Sequence, residues 1–165
     1  NNSFNSVFEF GCGSGNNLFQ IASSNKNFCG LGYDISSEAI RFSKQKSLLL
    51  EIKNIEFTDT MNIALISNFL KEKQLKVFDL AVYDRVLYLL SFEEVINHFR
   101  NYSNLFSNIV IDDFINNFNG YNGKNYIDIL QKNGFALVAN NPSIHKEPEI
   151  NSARQLVFKN IFDEK

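Results

Sequence analysis

The chain has 165 residues, a length typical of one domain that buries a core without disulfide or metal crosslinks. Apolar residues make up 44% and charged residues 21%, which excludes a disordered chain. A formal net charge of -2 provides no general attraction to nucleic acid or anionic lipid, so we expect a small-molecule partner and neither of those. We expect a single domain over residues 1–165 that lacks an N-terminal segment, since the first residue is Asn1 and not Met.

Cysteine usage and hydropathy indicate the compartment. Cys12 and Cys29 lack the spacing of a disulfide framework or a zinc site, and we interpret both as small buried hydrophobic residues. No apolar run reaches the roughly 18 to 20 residues that a membrane span requires, and no signal-like segment is visible. These features predict a cytoplasmic protein.

In the first half of the chain, apolar periodicity predicts strands that alternate with helices. Strands are predicted at 7–10, 28–33, 55–58 and 77–83, and helices from about 18, at 36–46 and at 62–73. Ser36 and Ser37 are candidate N-caps of the second helix.

The second half continues this alternation and then changes. Ser91 and Glu94 have the spacing of a capping box before a helix, a strand follows at 108–111, and a helix at 126–132 ends at Asn133-Gly134. Strands at 135–139 and 155–159 are separated by a segment with two prolines and no helical pattern, which favours an antiparallel hairpin. The whole pattern predicts an α/β fold whose parallel sheet is covered by helices on both faces and has an antiparallel edge.

The segment Glu9-Phe10-Gly11-Cys12-Gly13-Ser14-Gly15-Asn16 joins the first strand to the first helix, where open parallel sheets bind ligands. Alternate glycines let the backbone turn sharply and approach a ligand with its N–H groups. A dinucleotide-binding turn would need a third glycine at Asn16, and a phosphate-binding loop would need a lysine; both are therefore disfavoured. Glu9 would repel a pyrophosphate but accept from an amino group.

Together with Asp34 at the end of the second strand and Asp59 after the third, this glycine motif resembles that of class I S-adenosylmethionine-dependent methyltransferases. The resemblance implies a Rossmann-like three-layer αβα sandwich with a mostly parallel seven-stranded sheet and an antiparallel C-terminal strand. It implies S-adenosyl-L-methionine as cofactor and transfer of a methyl group to an O or N nucleophile of a small molecule. Asp34 would bind the ribose hydroxyls and Asp59 would lie near the adenine. The implied cofactor-binding residues are Glu9, Gly11, Cys12, Gly13, Gly15, Asp34, Ile35, Asp59, Thr60, Met61 and Tyr83.

Candidate catalytic residues lie where strands four and five end and in the last loop. They are Asp84, Tyr83 and His145; the amide-directed signature Asn-Pro-Pro-Tyr is absent. Asp84, Asp112 and Asp113 resemble the magnesium ligands of catechol-type O-methyltransferases, but strand-end carboxylates also serve as caps, and we predict no metal. Tyr88 lines the substrate cavity or belongs to the core, and His98 is interpreted as a surface residue.

Alternatives remain at this point. Asp34 and Asp59 could each cap the helix that follows them. The chain could also be a catalytically inactive domain that binds S-adenosylmethionine or another nucleotide, or an NAD-dependent oxidoreductase, in which Asp34 would serve the ribose equally well.

Overall fold

The computed structural model describes residues 4–114, 125–144 and 153–162. The chain divides into two compact units, Asn1–Val82 and Tyr83–Lys165. Strands of the first unit are β1 (Ser6–Phe10), β2 (Cys29–Tyr33) and β3 (Ile55–Thr58), and its helices are α1 (Asn16–Ser24), α2 (Ser37–Leu49) and α3 (Ile63–Glu72). Strand β4 (Phe78–Asp84) begins in the first unit and ends in the second. The second unit contains α4 (Phe92–Tyr102), β5 (Phe106–Phe114), α5 (Tyr126–Lys132), β6 (Phe135–Pro142) and β7 (Ala153–Asn160).

The seven strands form one mixed, mostly parallel sheet in the order β3-β2-β1-β4-β5-β7-β6. β1, β2 and β3 are parallel neighbours, whereas β7 is antiparallel to both β5 and β6. This arrangement confirms the predicted α/β class and the antiparallel C-terminal strand. No helix within the described ranges is long and apolar enough to cross a membrane.

Local sequence explains where the helices begin. The side chain of Ser36 accepts from the backbone N–H of Ala39 at the start of α2, and Asn62 does the same for α3. Ser91 and Glu94 form the predicted capping box of α4. Gly134, just after α5, has a positive φ of 84°, as the predicted left-handed helix end requires.

Strands β5 and β6 continue well past their predicted ends. β5 was expected to end at Ile111 but continues through Asp112 and Asp113, whose carboxylates are buried and hydrogen-bonded. β6 was expected to end at Ala139 but extends to Pro142. β6 lies at the edge of the sheet, which is where strands tolerate a proline.

Candidate functional site

The glycine turn, Gly11 to Gly15, connects β1 to α1. The backbone N–H groups of Gly11 and Cys12 both donate to the carbonyl oxygen of Tyr33, at 2.7 and 2.9 Å, which ties the turn to the end of β2. Gly11, Gly13 and Gly15 all have positive φ, at 75°, 52° and 73°. The left-handed Gly15 is the N-cap of α1, so the helix starts directly after the turn.

Gly13 and Gly15 are needed for different reasons. A Cβ built on Gly15 would lie 2.4 Å from the ring of Phe57 in the core, so this glycine permits close packing. A Cβ built on Gly13 meets nothing within 4 Å. The backbone at Gly13 is therefore open on the side where a ligand would approach.

Asp34 lies directly against the glycine turn. Its Oδ2 accepts from the backbone N–H of Gly13 at 2.7 Å, and its Oδ1 accepts from the N–H of Ser36 at 2.9 Å. Since Ser36 itself caps α2, Asp34 does not serve as that cap, contrary to the alternative interpretation. The neighbouring Ile35 is 85% exposed and presents an apolar surface beside this carboxylate.

Asp59 follows β3 on the exposed surface. The hydroxyl of Ser37, in the first turn of α2, donates to Asp59 and is the main cause that lowers the pKa of this carboxyl. Asn62 caps α3, so the alternative of Asp59 as that cap is wrong. Between them, the N–H of Thr60 donates to the hydroxyl of Thr58 at 3.0 Å, and Met61 is half-buried.

Glu9 and Cys12 are buried beneath the turn. The side-chain amide of Asn17 donates to Oε1 of Glu9 at 2.7 Å and orients this carboxylate, which is only 3% exposed. Burial, followed by the charges of Glu9 and Asp34, raises the pKa of Cys12, so its thiol stays protonated at neutral pH. Cys12 is therefore a packing residue of the turn, as the sequence indicated, and not a nucleophile.

In the second unit, Tyr83 and His98 form a buried pair. The hydroxyl of Tyr83 lies 2.8 Å from Nε2 of His98, and the Tyr83 side chain is fully buried. Burial raises the pKa of Tyr83 and lowers that of His98 to about 4. The interpretation of His98 as a surface residue is wrong. The residue is only 8% exposed, because Tyr83 is its hydrogen-bond partner inside the protein and the rings of Phe99 and Tyr102 pack against it.

The strand-end cluster of the second unit comprises Arg85, Asp112, Phe114 and Ser143. Arg85, which follows the half-buried Asp84, has a positive φ of 51°, and its N–H donates to the carbonyl oxygen of Asp112 at 2.9 Å. Its Nε lies 3.8 Å from Oδ1 of Asp112, and its guanidinium lies over the Phe114 ring at 4.8 Å. Asp112 also accepts from the hydroxyl of Ser143, so one carboxylate holds together residues from the ends of three strands.

The carboxylate of Asp113 is bound separately from that of Asp112. It accepts from the backbone N–H of Tyr88 at 3.1 Å and of Phe114 at 2.7 Å. Tyr88 packs edge-on against Phe114, consistent with the core alternative. In the described part of the chain, no group of three or more His, Cys, Asp or Glu side chains could hold a metal ion. His145 lies outside the described residues.

The structure thus gathers Glu9, Gly11 to Gly15 and Asp34 at one strand-to-helix turn. Sequence reasoning missed the residues that orient them, Asn17 and Ser36, as functional candidates. Asn17 carries no motif signal, while Ser36 was found only as a cap.

A family model described as a methyltransferase domain matches residues 2–161. The chain belongs to this methyltransferase family. It is a class I S-adenosylmethionine-dependent methyltransferase domain, as the glycine motif with Asp34 and Asp59 implied. No curated protein gives a significant match to the sequence.

Solved structures share the fold of this methyltransferase domain. The magnesium protoporphyrin IX methyltransferase ChlM from Synechocystis PCC 6803, solved with bound SAM, matches with a TM-score of 0.68 and 21% identity over 93% of this chain and 69% of that chain. The O-methyltransferase from a trans-AT PKS multienzyme of Brevibacillus brevis, solved with S-adenosyl-L-homocysteine, matches with a TM-score of 0.73 and 13% identity over 95% and 67%. The StiE O-MT matches with a TM-score of 0.72 and 16% identity over 96% and 69%. At these identities the similarity shows a common fold.

Proposed function

We propose that the first unit binds S-adenosylmethionine at the glycine turn and that the domain transfers the methyl group to an oxygen or nitrogen nucleophile of a small molecule. The observation that carries this proposal is the Asp34 carboxylate, held against the turn by the N–H groups of Gly13 and Ser36. Each oxygen receives one of these bonds and keeps a further lone pair for a ribose hydroxyl. Backbone groups alone thus orient the Asp34 carboxylate towards the ribose.

The residues present around Asp34 fit this cofactor. The open side of Gly13 lets the backbone approach a ligand, and the exposed Ile35 offers an apolar surface to an adenine ring. The Glu9 carboxylate, oriented by Asn17, would accept from an amino group. Asp59, Thr60 and Met61 extend the proposed adenine side, and the full proposed set is Glu9, Gly11, Cys12, Gly13, Gly15, Asp34, Ile35, Asp59, Thr60 and Met61. The bound cofactor supplies an electrophilic methyl group on a sulfonium.

The chain's own task is to position the acceptor and remove its proton. We propose Asp84, the last residue of β4, as the base, and His145 remains a second candidate. The full burial of Tyr83 and its bond to His98 favour a packing role for Tyr83 over contact with cofactor or acceptor. The net charge of -2 favours a small acceptor, and the neighbours named as O-methyltransferases favour oxygen as its nucleophile.

Titration calorimetry with S-adenosylhomocysteine tests the donor site. Asp34→Asn keeps the side-chain shape but removes the charge and one of the two oxygens that accept from Gly13 and Ser36, and hydrogen bonds to charged groups contribute about 1.5 to 3 kcal/mol each. We therefore expect Asp34→Asn to bind roughly 10- to 100-fold more weakly than the wild type. Glu93→Gln, which makes the same charge change at the exposed first turn of α4, should bind as the wild type does.

The outcomes separate the remaining alternatives. A folded wild-type protein that binds neither S-adenosylmethionine nor S-adenosylhomocysteine contradicts the proposal, and binding of NAD instead would favour the oxidoreductase. Binding without transfer of a labelled methyl group to any small molecule of a cell extract would identify an inactive binding domain.

A further inference from the structure

Strand β3 forms one edge of the sheet. In its parallel pairing with β2, the N–H of Gly30 donates to the carbonyl oxygen of Asn54, and the N–H of Asp34 donates to that of Thr58. Even-numbered residues of this segment therefore bond to β2, and the backbone groups of Ile55 and Phe57 point off the edge. Within the described residues, no strand lies beyond them.

An apolar groove runs beside this edge. It has a volume of about 670 Å³ and lies between the C-terminal half of α2 and β3, with Leu48, Ile52 and Phe57 among its lining residues. Leu48, Leu49 and Leu50 follow one another at the end of α2 and are 79%, 84% and 52% exposed. Consecutive exposed leucines next to an open strand edge are typical of a protein interface.

Charges of both signs lie along the groove. Lys44 and Lys53 line it together with Glu51 and Glu56, of which Glu56 is paired with Lys73 of the same chain. A two-fold interface brings the same surface of both subunits together and therefore requires a surface that is complementary to itself. A partner of one strong charge would not match this groove.

We propose that β3 pairs antiparallel with β3 of a second copy of this chain, about a two-fold axis at Glu56. In this register the free-edge backbone groups of Ile55 in one copy form reciprocal hydrogen bonds with those of Phe57 in the other copy, and those of Phe57 do so with Ile55. If one strand were shifted by two residues against the other, Ile55 would lie opposite Ile55 of the second copy, or Phe57 opposite Phe57. The remaining one of these two residues would then have no partner within β3. The end of α2 with its leucines then lies towards the start of α2 of the second copy, because Ser37 at that start contacts Asp59.

Continued past the ends of β3, the same register sets Lys53 opposite Asp59 of the second copy, and Asp59 opposite Lys53. Both side chains lie on the α2 side of the strand, since Lys53 lines the groove and Asp59 contacts Ser37. Cross-strand pairs of opposite charge stabilise antiparallel pairing. Glu56 faces its own copy at the axis, but Lys73 of the same chain neutralises it at 2.9 Å.

Charged residues and short strands usually protect an edge from pairing. Here the charges are complementary in one register, so they select that register while the leucines contribute the apolar contact. The proposal concerns a surface of the first unit and does not depend on the identity of the methyl acceptor. Asp59 also belongs to the proposed adenine side, so its variants are assayed by dimerisation and not by donor binding.

Sedimentation velocity of the whole chain over a range of concentrations tests the proposal. We expect a wild-type dimer that Leu49→Asp converts to a monomer. Lys53→Asp and Asp59→Lys should each weaken dimerisation by about ten-fold, because each replaces two attractive cross-strand pairs with repulsive ones. The double variant Lys53→Asp/Asp59→Lys should restore the wild-type dimerisation constant.

Leu89→Asp and Lys76→Asp are the matched controls, since both alter exposed residues away from the edge and should leave the dimer unchanged. Circular dichroism establishes that each variant is folded. A wild-type protein that is monomeric at all concentrations overturns the proposal. So does a dimer that Leu49→Asp leaves intact, or one that the charge exchange does not restore.

Discussion

The glycine turn of the first unit and the strand-end cluster of the second unit each hold a carboxylate in place, but with different groups. Asp34 is held by the backbone N–H groups of Gly13 and Ser36. Asp112 is bound by the side chains of Arg85 and Ser143 and by the N–H of Ile144. A carboxylate bound by backbone depends on the conformation of the turn, whereas one bound by side chains depends on the presence of each partner. Different substitutions should therefore displace the carboxylate in the two regions.

The largest effect is expected where a buried charge loses its partner. Asp112→Ala removes the acceptor of Arg85, Ser143 and Ile144, and it leaves the guanidinium, whose side chain is 19% exposed, without a counter-charge. Breaking a buried pair in this way costs about 3 to 5 kcal/mol of unfolding free energy, measured by urea denaturation. Asp112→Asn retains a carbonyl acceptor and should lose less; equal losses for the two variants would show that the charge of Asp112, and not its hydrogen bonds, stabilises the cluster.

In the glycine turn, the expected damage depends on which glycine is changed. Gly15→Ala combines a strained positive φ with a Cβ only 2.4 Å from the Phe57 ring, and we expect a loss of about 3 kcal/mol in unfolding free energy. Gly13→Ala meets open space and should lose only about 1 kcal/mol from backbone strain.

Calorimetry separates the two glycine variants further. Gly13→Ala should weaken S-adenosylhomocysteine binding more than its small stability loss suggests, because the new methyl group projects where the ligand approaches. Unchanged affinity in folded Gly13→Ala would show that the ligand does not pass this face of the turn.

A pH dependence that arises in the second unit is also expected, and it is smaller than the effects of Asp112→Ala and Gly15→Ala. Burial lowers the pKa of His98 from 6.5 to about 4, so the unfolded chain binds this proton more readily than the folded one. The resulting stability is present above pH 6.5 and is lost as the pH falls from 6.5 towards 4, by about 2 kcal/mol at pH 5. His98→Gln should remove this part of the pH dependence of the unfolding free energy between pH 7 and 5, and identical slopes for both proteins would contradict the burial of a neutral His98.

Much of the fold could be predicted where local signals bound an element. The predicted limits of β3 and α5 agree with the structure at both ends, since polar turn residues flank β3 and Asn133-Gly134 ends the helix. The neighbourhood of Asp34 and the glycine turn could also be predicted, because the carboxyl ends of adjacent parallel strands meet at one edge of a sheet.

What could not be predicted depends on partners distant in sequence. Because Asp112 and Asp113 are charged, the sequence predicts that β5 ends before them. Both are buried, however: Ser143, 31 residues away, donates to Asp112, and Tyr88, 25 residues away, donates to Asp113. The sequence likewise places His98 on the surface, because it does not show that Tyr83, 15 residues earlier, is its hydrogen-bond partner. Polarity of a single residue does not report such pairings.

The ring of Phe57 fills the space that a Cβ at either Gly15 or Gly32 would need, with ring atoms 2.4 and 2.8 Å from the two positions. Gly15, Gly32 and Phe57 therefore share a volume constraint across three separate segments of the chain, and Cys12 adds to it because its Sγ also lies 2.8 Å from the position at Gly32. In related sequences, a side chain at position 15 or 32 should occur only together with a smaller residue at position 57. That co-variation would let a sequence comparison detect how tightly the edge strand and the glycine turn are packed together, without any measurement of structure.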